Sequence, residues 1–221
     1  DYNTHKDFGS GDRICYHGVM DMFRNPKLAA AVYACQLEKE PVLELSSSMD
    51  IGEHPGCNRG ETYIFTNADK VRMYKNDRFI KEYSAADSPY THLKHGPILI
   101  DDFIGDALQE EHMKPGQEAG VKKALNAFTR FGFAKLPKSI YATGIWLILR
   151  YHMNMEEAVR LYNKYIGDWG GTSTTYRFEA VMVDASTRQE RVVKTIIKEP
   201  MTERKISAVA DHENLIDAES Y

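Results

Sequence analysis

Glu61-Thr62-Tyr63-Ile64-Phe65-Thr66-Asn67-Ala68-Asp69-Lys70-Val71-Arg72-Met73-Tyr74-Lys75-Asn76-Asp77-Arg78-Phe79-Ile80-Lys81-Glu82-Tyr83 is the stretch that decides the fold. Three runs rich in β-branched and aromatic residues, 61–66, 71–74 and 78–83, are separated by the turn-forming linkers Asn67-Ala68-Asp69 and Lys75-Asn76-Asp77. That spacing predicts hairpins in an antiparallel sheet. Upstream, 42–45 adds a short strand after Glu40-Pro41. Downstream, 174–183 alternates clearly and 191–197 returns across a polar turn at 184–189. An immunoglobulin-like sandwich over 41–199 is the expected architecture.

Helical signals interrupt this texture between about 97 and 167, so the expected class is mainly β with a helical insertion, α+β overall. Asp101-Asp102 can cap a helix running from Phe103 to about Glu111. Pro115 opens a second helix in which Val121, Leu125 and Phe128 share a face and Gly132 is the terminator. Pro137-Lys138-Ser139 begins a third, reaching about His152. Asn154, with Glu157 three residues on, starts a fourth, whose stripe is Ala158, Leu161, Tyr162 and Tyr165. The four read as one inserted bundle.

Towards the N-terminus, the polar, glycine-containing residues 1–17 have loop chemistry. Asn25 is a preferred N-cap, Pro26 suits the first helical position, and Leu28, Val32 and Cys35 recur at i, i+4 and i+7, which predicts a helix over 26–36. Its alanines, Ala29 to Ala31 and Ala34, suit close packing against another element. From Glu199-Pro200 onward the chain is polar and acidic and reads as a linker or the start of another domain.

The 221 residues are 43% apolar, enough for a real core. A net charge of −4 and a pI near 6.1, with Lys and Arg dispersed, offer no field for phosphate backbones, so nucleic acid is not expected as a partner. The most apolar run, 140–149, is broken by Thr143 and Gly144 and falls short of the roughly 18 residues a bilayer span needs, so no membrane partner is expected. Cys15, Cys35 and Cys57 lack C-x-x-C spacing and read as free thiols. Asp1 brings no leader features, leaving cytoplasmic and secreted settings both open.

The run His17-Gly18-Val19-Met20-Asp21-Met22-Phe23-Arg24-Asn25-Pro26-Lys27-Leu28-Ala29-Ala30 resembles the segment that closes the catalytic barrel in family 2 glycoside hydrolases, the β-galactosidase and β-glucuronidase group. Residues 61–83 resemble the strand pair that follows it. Gly96-Pro97-Ile98-Leu99-Ile100-Asp101-Asp102-Phe103-Ile104-Gly105 and Tyr165-Ile166-Gly167-Asp168-Trp169-Gly170-Gly171-Thr172 are similar to a bacterial subgroup of these enzymes. The resemblance implies that 1–40 is the last loop and helix of a TIM barrel, that 41–199 is the sandwich with its insertion, and that 200–221 leads towards a further sandwich.

It also implies an incomplete site. Retaining glycosidases use two carboxylates about 5–5.5 Å apart, and on the family's pattern both glutamates lie upstream, so no catalytic residue is expected in this chain. Neighbouring Asp101 and Asp102 are read as caps. Asp1, Asn3 and His5 would line the substrate at the barrel mouth. Trp169 could stack on a sugar ring or plug the junction between insertion and sandwich. Cys15-Tyr16-His17 stands where β-glucuronidases carry Asn-x-Lys, which favours a neutral sugar such as a β-galactoside, although Arg13 lies nearby. His92-x-x-His95 has metal-compatible spacing but no third ligand in view, so surface histidines are expected, with no metal and no cofactor. The expected partners are carbohydrate in the complete enzyme and the upstream domains of the same polypeptide; a homo-oligomer is compatible. The alternative is a free-standing carbohydrate-binding or interaction module on the same sandwich, which would have no use for a barrel-closing helix.

Overall fold

A computed structural model describes residues 18–20, 23–37, 39–49, 59–132, 135–166 and 174–199. Two antiparallel sheets and four α-helices make an α+β fold, and no barrel closes among the described residues. The first sheet has the order β1 (Leu43–Leu45), β2 (Tyr63–Thr66), β5 (Ile98–Leu99). The second runs β4 (Arg78–Ser84), β3 (Lys70–Lys75), β6 (Tyr176–Val183), β7 (Glu190–Lys198). The strands form where alternation predicts. Along β3, Val71 and Met73 are fully buried while Lys70, Arg72 and Tyr74 face outward.

Local chemistry sets the hairpins. Asn76 and Asp77 both adopt positive φ, +47° and +62°, the requirement of a two-residue turn whose twist matches its strands. At the β6–β7 turn, Asp184 Oδ1 accepts from the backbone N–H of Ser186 (2.9 Å) and Thr187 (2.7 Å). Leu43, Leu45, Ile64 and Ile98 from the first sheet share one core with Val71, Met73, Tyr83, Phe178 and Ala180 from the second. Burial of these side chains from water is the main stabilising contribution to the sandwich. On the outer face of the second sheet, Lys70 and Arg72 of β3 pair with Glu82 on the adjacent β4 and with Glu190 on β7, which lies beyond β6.

Helical chain occupies the span between β5 and β6, with differences from the sequence reading. The first expected helix is a 3₁₀ helix, Ala107–Glu111, and does not begin at Phe103. Phe103 is drawn into the sandwich core while Ile104 enters a second core, so the border between the two falls across one peptide bond. Gly105 follows at φ +60°, where a Cβ would lie 3.0 Å from the Ile80 backbone. The strand β5 has no counterpart among the strands read from sequence, because two residues are too few to display a period.

The second core unites Ile104 and Leu108 with α2 (Pro115–Phe131), α3 (Lys138–Tyr151) and α4 (Met155–Tyr165). Pro115 stands in the first turn of α2 and Gly132 at φ +62° ends it, as the sequence suggests. Asn154 caps α4, its side chain accepting from Glu157 N at 2.8 Å. Val121, Leu125, Leu161 and Tyr165 are buried as their spacing predicts. Gly120 allows α2 and α3 to approach closely, since a Cβ there would meet Leu147 Cδ2 at 3.0 Å. No described helix is long and apolar enough to cross a membrane.

The N-terminal helix, α1, runs Leu28–Leu37. It lies on the first sheet through Ala31 and Cys35, which meet Phe65 with Val32, Val42 and Tyr63 alongside. Leu28, expected on the same inward face, is exposed, and so are Tyr33 and Leu37. The small alanine face suits close approach to a sheet, and the larger side chains are turned outward. Gln36 fixes the helix to the 88–97 loop by donating from Nε2 to His95 O (2.6 Å) and accepting from His95 N (3.3 Å).

Candidate functional site

Asp1, Asn3 and His5 lie outside the described residues, as do Arg13, Cys15, His17 and Trp169. Ile166, at the end of α4, borders a buried polar junction between the sandwich and the helical insertion. Arg59 is 2% exposed at this junction. Its N–H donates to Thr129 O, its Nε to Met49 O (3.2 Å) and one terminal nitrogen to Ile166 O (3.4 Å). Its guanidinium lies 5.3 Å from the centre of the Tyr176 ring.

Lys75, at the end of β3, reaches the same place. Its Nζ donates to Tyr165 O and lies 5.9 Å from the Tyr176 ring. Desolvation, reinforced by the nearby positive charge of Arg59, lowers the Lys75 pKa from its usual range to about 7. Burial raises the pKa of the Tyr176 phenol, and Arg59 opposes that rise. The junction therefore joins two cationic side chains, an aromatic face and the last carbonyls of α4. Such a set can bind polar or anionic groups and anchor chain segments. These residues include no pair of carboxylates of the kind glycoside cleavage uses. Neither Arg59 nor Lys75 was singled out from the sequence, because no local pattern marks either as buried.

Asp101, Asp102 and Glu111 are engaged elsewhere. Asp101 accepts from Lys81 Nζ at 2.8 and 2.9 Å and from Tyr83 Oη at 3.2 Å. Asp102 Oδ1 accepts from Ile104 N (2.9 Å), Gly105 N (3.1 Å) and Asn126 Nδ2 (3.1 Å), while Oδ2 pairs with Lys122 Nζ (2.7 Å). Asp102 closes a turn and ties it to α2, and Asp101 makes side-chain contacts alone; neither caps a helix as expected, because the helical turn begins only at Ala107, behind Asp106. Glu111 is held by Arg160, Lys164 and Tyr165, and these hydrogen bonds lower its pKa from the usual carboxylate value to about 2.

His92 and His95 do not converge with a third ligand, and the described residues contain no group of three candidate metal ligands. His92 stacks edge-on to Tyr90. Burial, with Lys94 adding to it, lowers the His95 pKa, and His95 Nδ1 is buried without a hydrogen-bond partner. The Cys35 thiol is free and buried, and desolvation together with Glu44 pushes its pKa up to about 11. Cys35 is thus an inert core residue.

No family model matches the chain. Over 104 residues, 46% of its length, it is 47% identical to a β-galactosidase of Thermoanaerobacterium thermosulfurigenes. Over 101 residues it is 39% identical to a β-galactosidase of Thermoanaerobacter pseudethanolicus. Each match takes in 14% of the relative's length. The chain is therefore related to β-galactosidases over just under half its length, and it corresponds to a small part of those proteins.

Proposed function

We propose that this chain is a C-terminal, non-catalytic portion of a family 2 retaining glycoside hydrolase that acts on β-galactosides. The observation that carries the reading is the 47% identity to a β-galactosidase over a segment amounting to 14% of that protein. In this reading residues 1–40 complete a barrel whose strands and two glutamates lie upstream, 41–199 form the sandwich with its insertion, and 200–221 lead onward. Asp1, Asn3 and His5 line the substrate in the complete enzyme, and Trp169 is the candidate for stacking on a sugar.

The second reading, a free-standing carbohydrate-binding module, gains something from α1. That helix packs on the first sheet of this chain, so a module would have a use for it. The identity to β-galactosidases weighs the other way. Activity separates the two. The purified chain should not hydrolyse a chromogenic β-galactoside, whereas the polypeptide that includes the upstream barrel should. In that longer enzyme kcat/KM for the galactoside should exceed that for the matching glucuronide by at least about 100-fold, because an unpaired buried carboxylate costs several kcal/mol. Turnover that copurifies with the 221-residue chain overturns the supporting role. A preference for the glucuronide overturns the substrate and directs attention to Arg13.

A further inference from the structure

Three pieces of chain meet near His95. Gln36, in the last turn of α1, holds the His95 main chain at both its N–H and its carbonyl. The turn between β2 and β3 is tied to the chain that follows α1: Asn67 Oδ1 accepts from Val42 N at 2.8 Å, and its Nδ2 donates to Glu40 O at 2.9 Å. Asp69, two residues on, acts on the His95 ring through its charge. The 88–97 loop is braced within itself, because Ser88 Oγ donates to Pro97 O at 2.8 Å and accepts from Tyr90 N at 3.2 Å. A Cβ at Gly96 would meet that same Oγ at 2.4 Å, so the loop has little freedom to shift on its own.

Within this seam, His95 Nδ1 is buried and has no hydrogen-bond partner among the described residues. In the neutral imidazole that nitrogen is an unfilled acceptor. In the imidazolium it becomes a charged donor, and a charged donor cut off from water and from any acceptor is the costlier of the two. The surroundings do little to offset this. Lys94, on the same loop, repels a positive ring; Asp69 attracts it, but its Oδ2 already accepts from Val183 N at 2.7 Å; and α1 presents the neutral Gln36. Burial first, and Lys94 second, therefore lower the His95 pKa from its ordinary value.

We propose that His95 is an acid-released latch, whose protonation opens the seam and frees the C-terminal end of α1 from the 88–97 loop. The open state hydrates the ring and binds the proton more readily than the latched state. The latch is thus fully closed above the ordinary histidine range and loses its hold as the pH falls through that range. Release reaches the helix packing directly, because Cys35, beside Gln36, is 2% exposed and sits with Ala31 on Phe65.

Cys35 supplies the readout. In a Cys15→Ser, Cys57→Ser background it is the single thiol, and its reaction with 4,4′-dithiodipyridine, which proceeds in acid, is divided by that of an unstructured cysteine peptide at the same pH. Between pH 8 and 5.5 this ratio should rise by at least about fivefold, the scale of one buried donor left unpaired. His95→Phe keeps a ring without a titrating nitrogen and should flatten the rise. Gln36→Ala should react fast at both ends of the range. In the otherwise unaltered protein, NMR should show the Gln36 and Cys35 amides following the His95 ring with one midpoint, while the amide of Leu161 in α4 does not, which separates release of α1 from general acid unfolding. A flat ratio, a rise that survives His95→Phe, or a ring that titrates without moving the α1 amides overturns the proposal.

Discussion

Replacing Asp102 by Ala should separate the two cores, and replacing it by Asn should not. The side chain is 13% exposed and spans the border at which Phe103 enters the sandwich core and Ile104 the helical one. Its Oδ1 receives two backbone N–H groups and the Asn126 amide, whose own Oδ1 accepts from Phe103 N at 2.9 Å; Oδ2 pairs with Lys122. Alanine strands those donors. Each satisfied bond is worth about 1 kcal/mol net, and the ion pair adds less than a fully buried one because the Lys122 side chain is 34% exposed, so a loss of about 3–4 kcal/mol is expected for Asp102→Ala. Asn keeps an acceptor at Oδ1, and Lys122 retains Gly105 O at 2.6 Å, which limits the loss to about 1–2 kcal/mol. Urea unfolding followed by circular dichroism measures both, and in Asp102→Ala the single transition should broaden or divide as the helical core melts before the sandwich. An Ala variant within about 1 kcal/mol of wild type would refute the reasoning, as would Asn and Ala variants of equal stability.

Two further outcomes depend on pH. The pKa of Glu111 is about 2 in the folded chain against the usual 4.5, so its contribution is present above pH 4.5 and is lost as the pH falls towards 2. Because Arg160 and Lys164 are about half exposed, the contribution is about 1–2 kcal/mol, and Glu111→Gln should remove that part of the acid limb in urea titrations at pH 2 to 6. The pKa of Lys75 is about 7 folded against 10.5 unfolded, so the charged form is disfavoured by folding and stability should rise between pH 7 and 10.5. Lys75→Met should raise stability at neutral pH by about 1 kcal/mol or more and flatten that rise. A difference between wild type and variant that does not vary with pH would count against desolvation as the cause.

What the sequence determined by itself is whatever depends on neighbours along the chain. Alternation marked the longer strands, the Asn76-Asp77 turn needed residues tolerant of positive φ, and Pro115, Gly132 and Asn154 set helix ends through bonds made within one turn. The likeness to β-galactosidases was legible for the same reason, in short motifs. The candidate sugar contacts Asp1, Asn3, His5 and Trp169 also come from those motifs and lie outside the described residues. The tertiary structure alone decided what depends on distant chain. β3 pairs with β6 about a hundred residues later, and that pairing gives the second sheet its order. The partners of Asp102 include a residue 24 positions away, and Arg59 reaches the Ile166 carbonyl 107 positions away. A buried polar group is defined by the partners that satisfy it, and those partners have no sequence period. α1 turned its small face to the sheet and its large side chains to solvent, a choice made by how closely a helix can approach the strands beneath it.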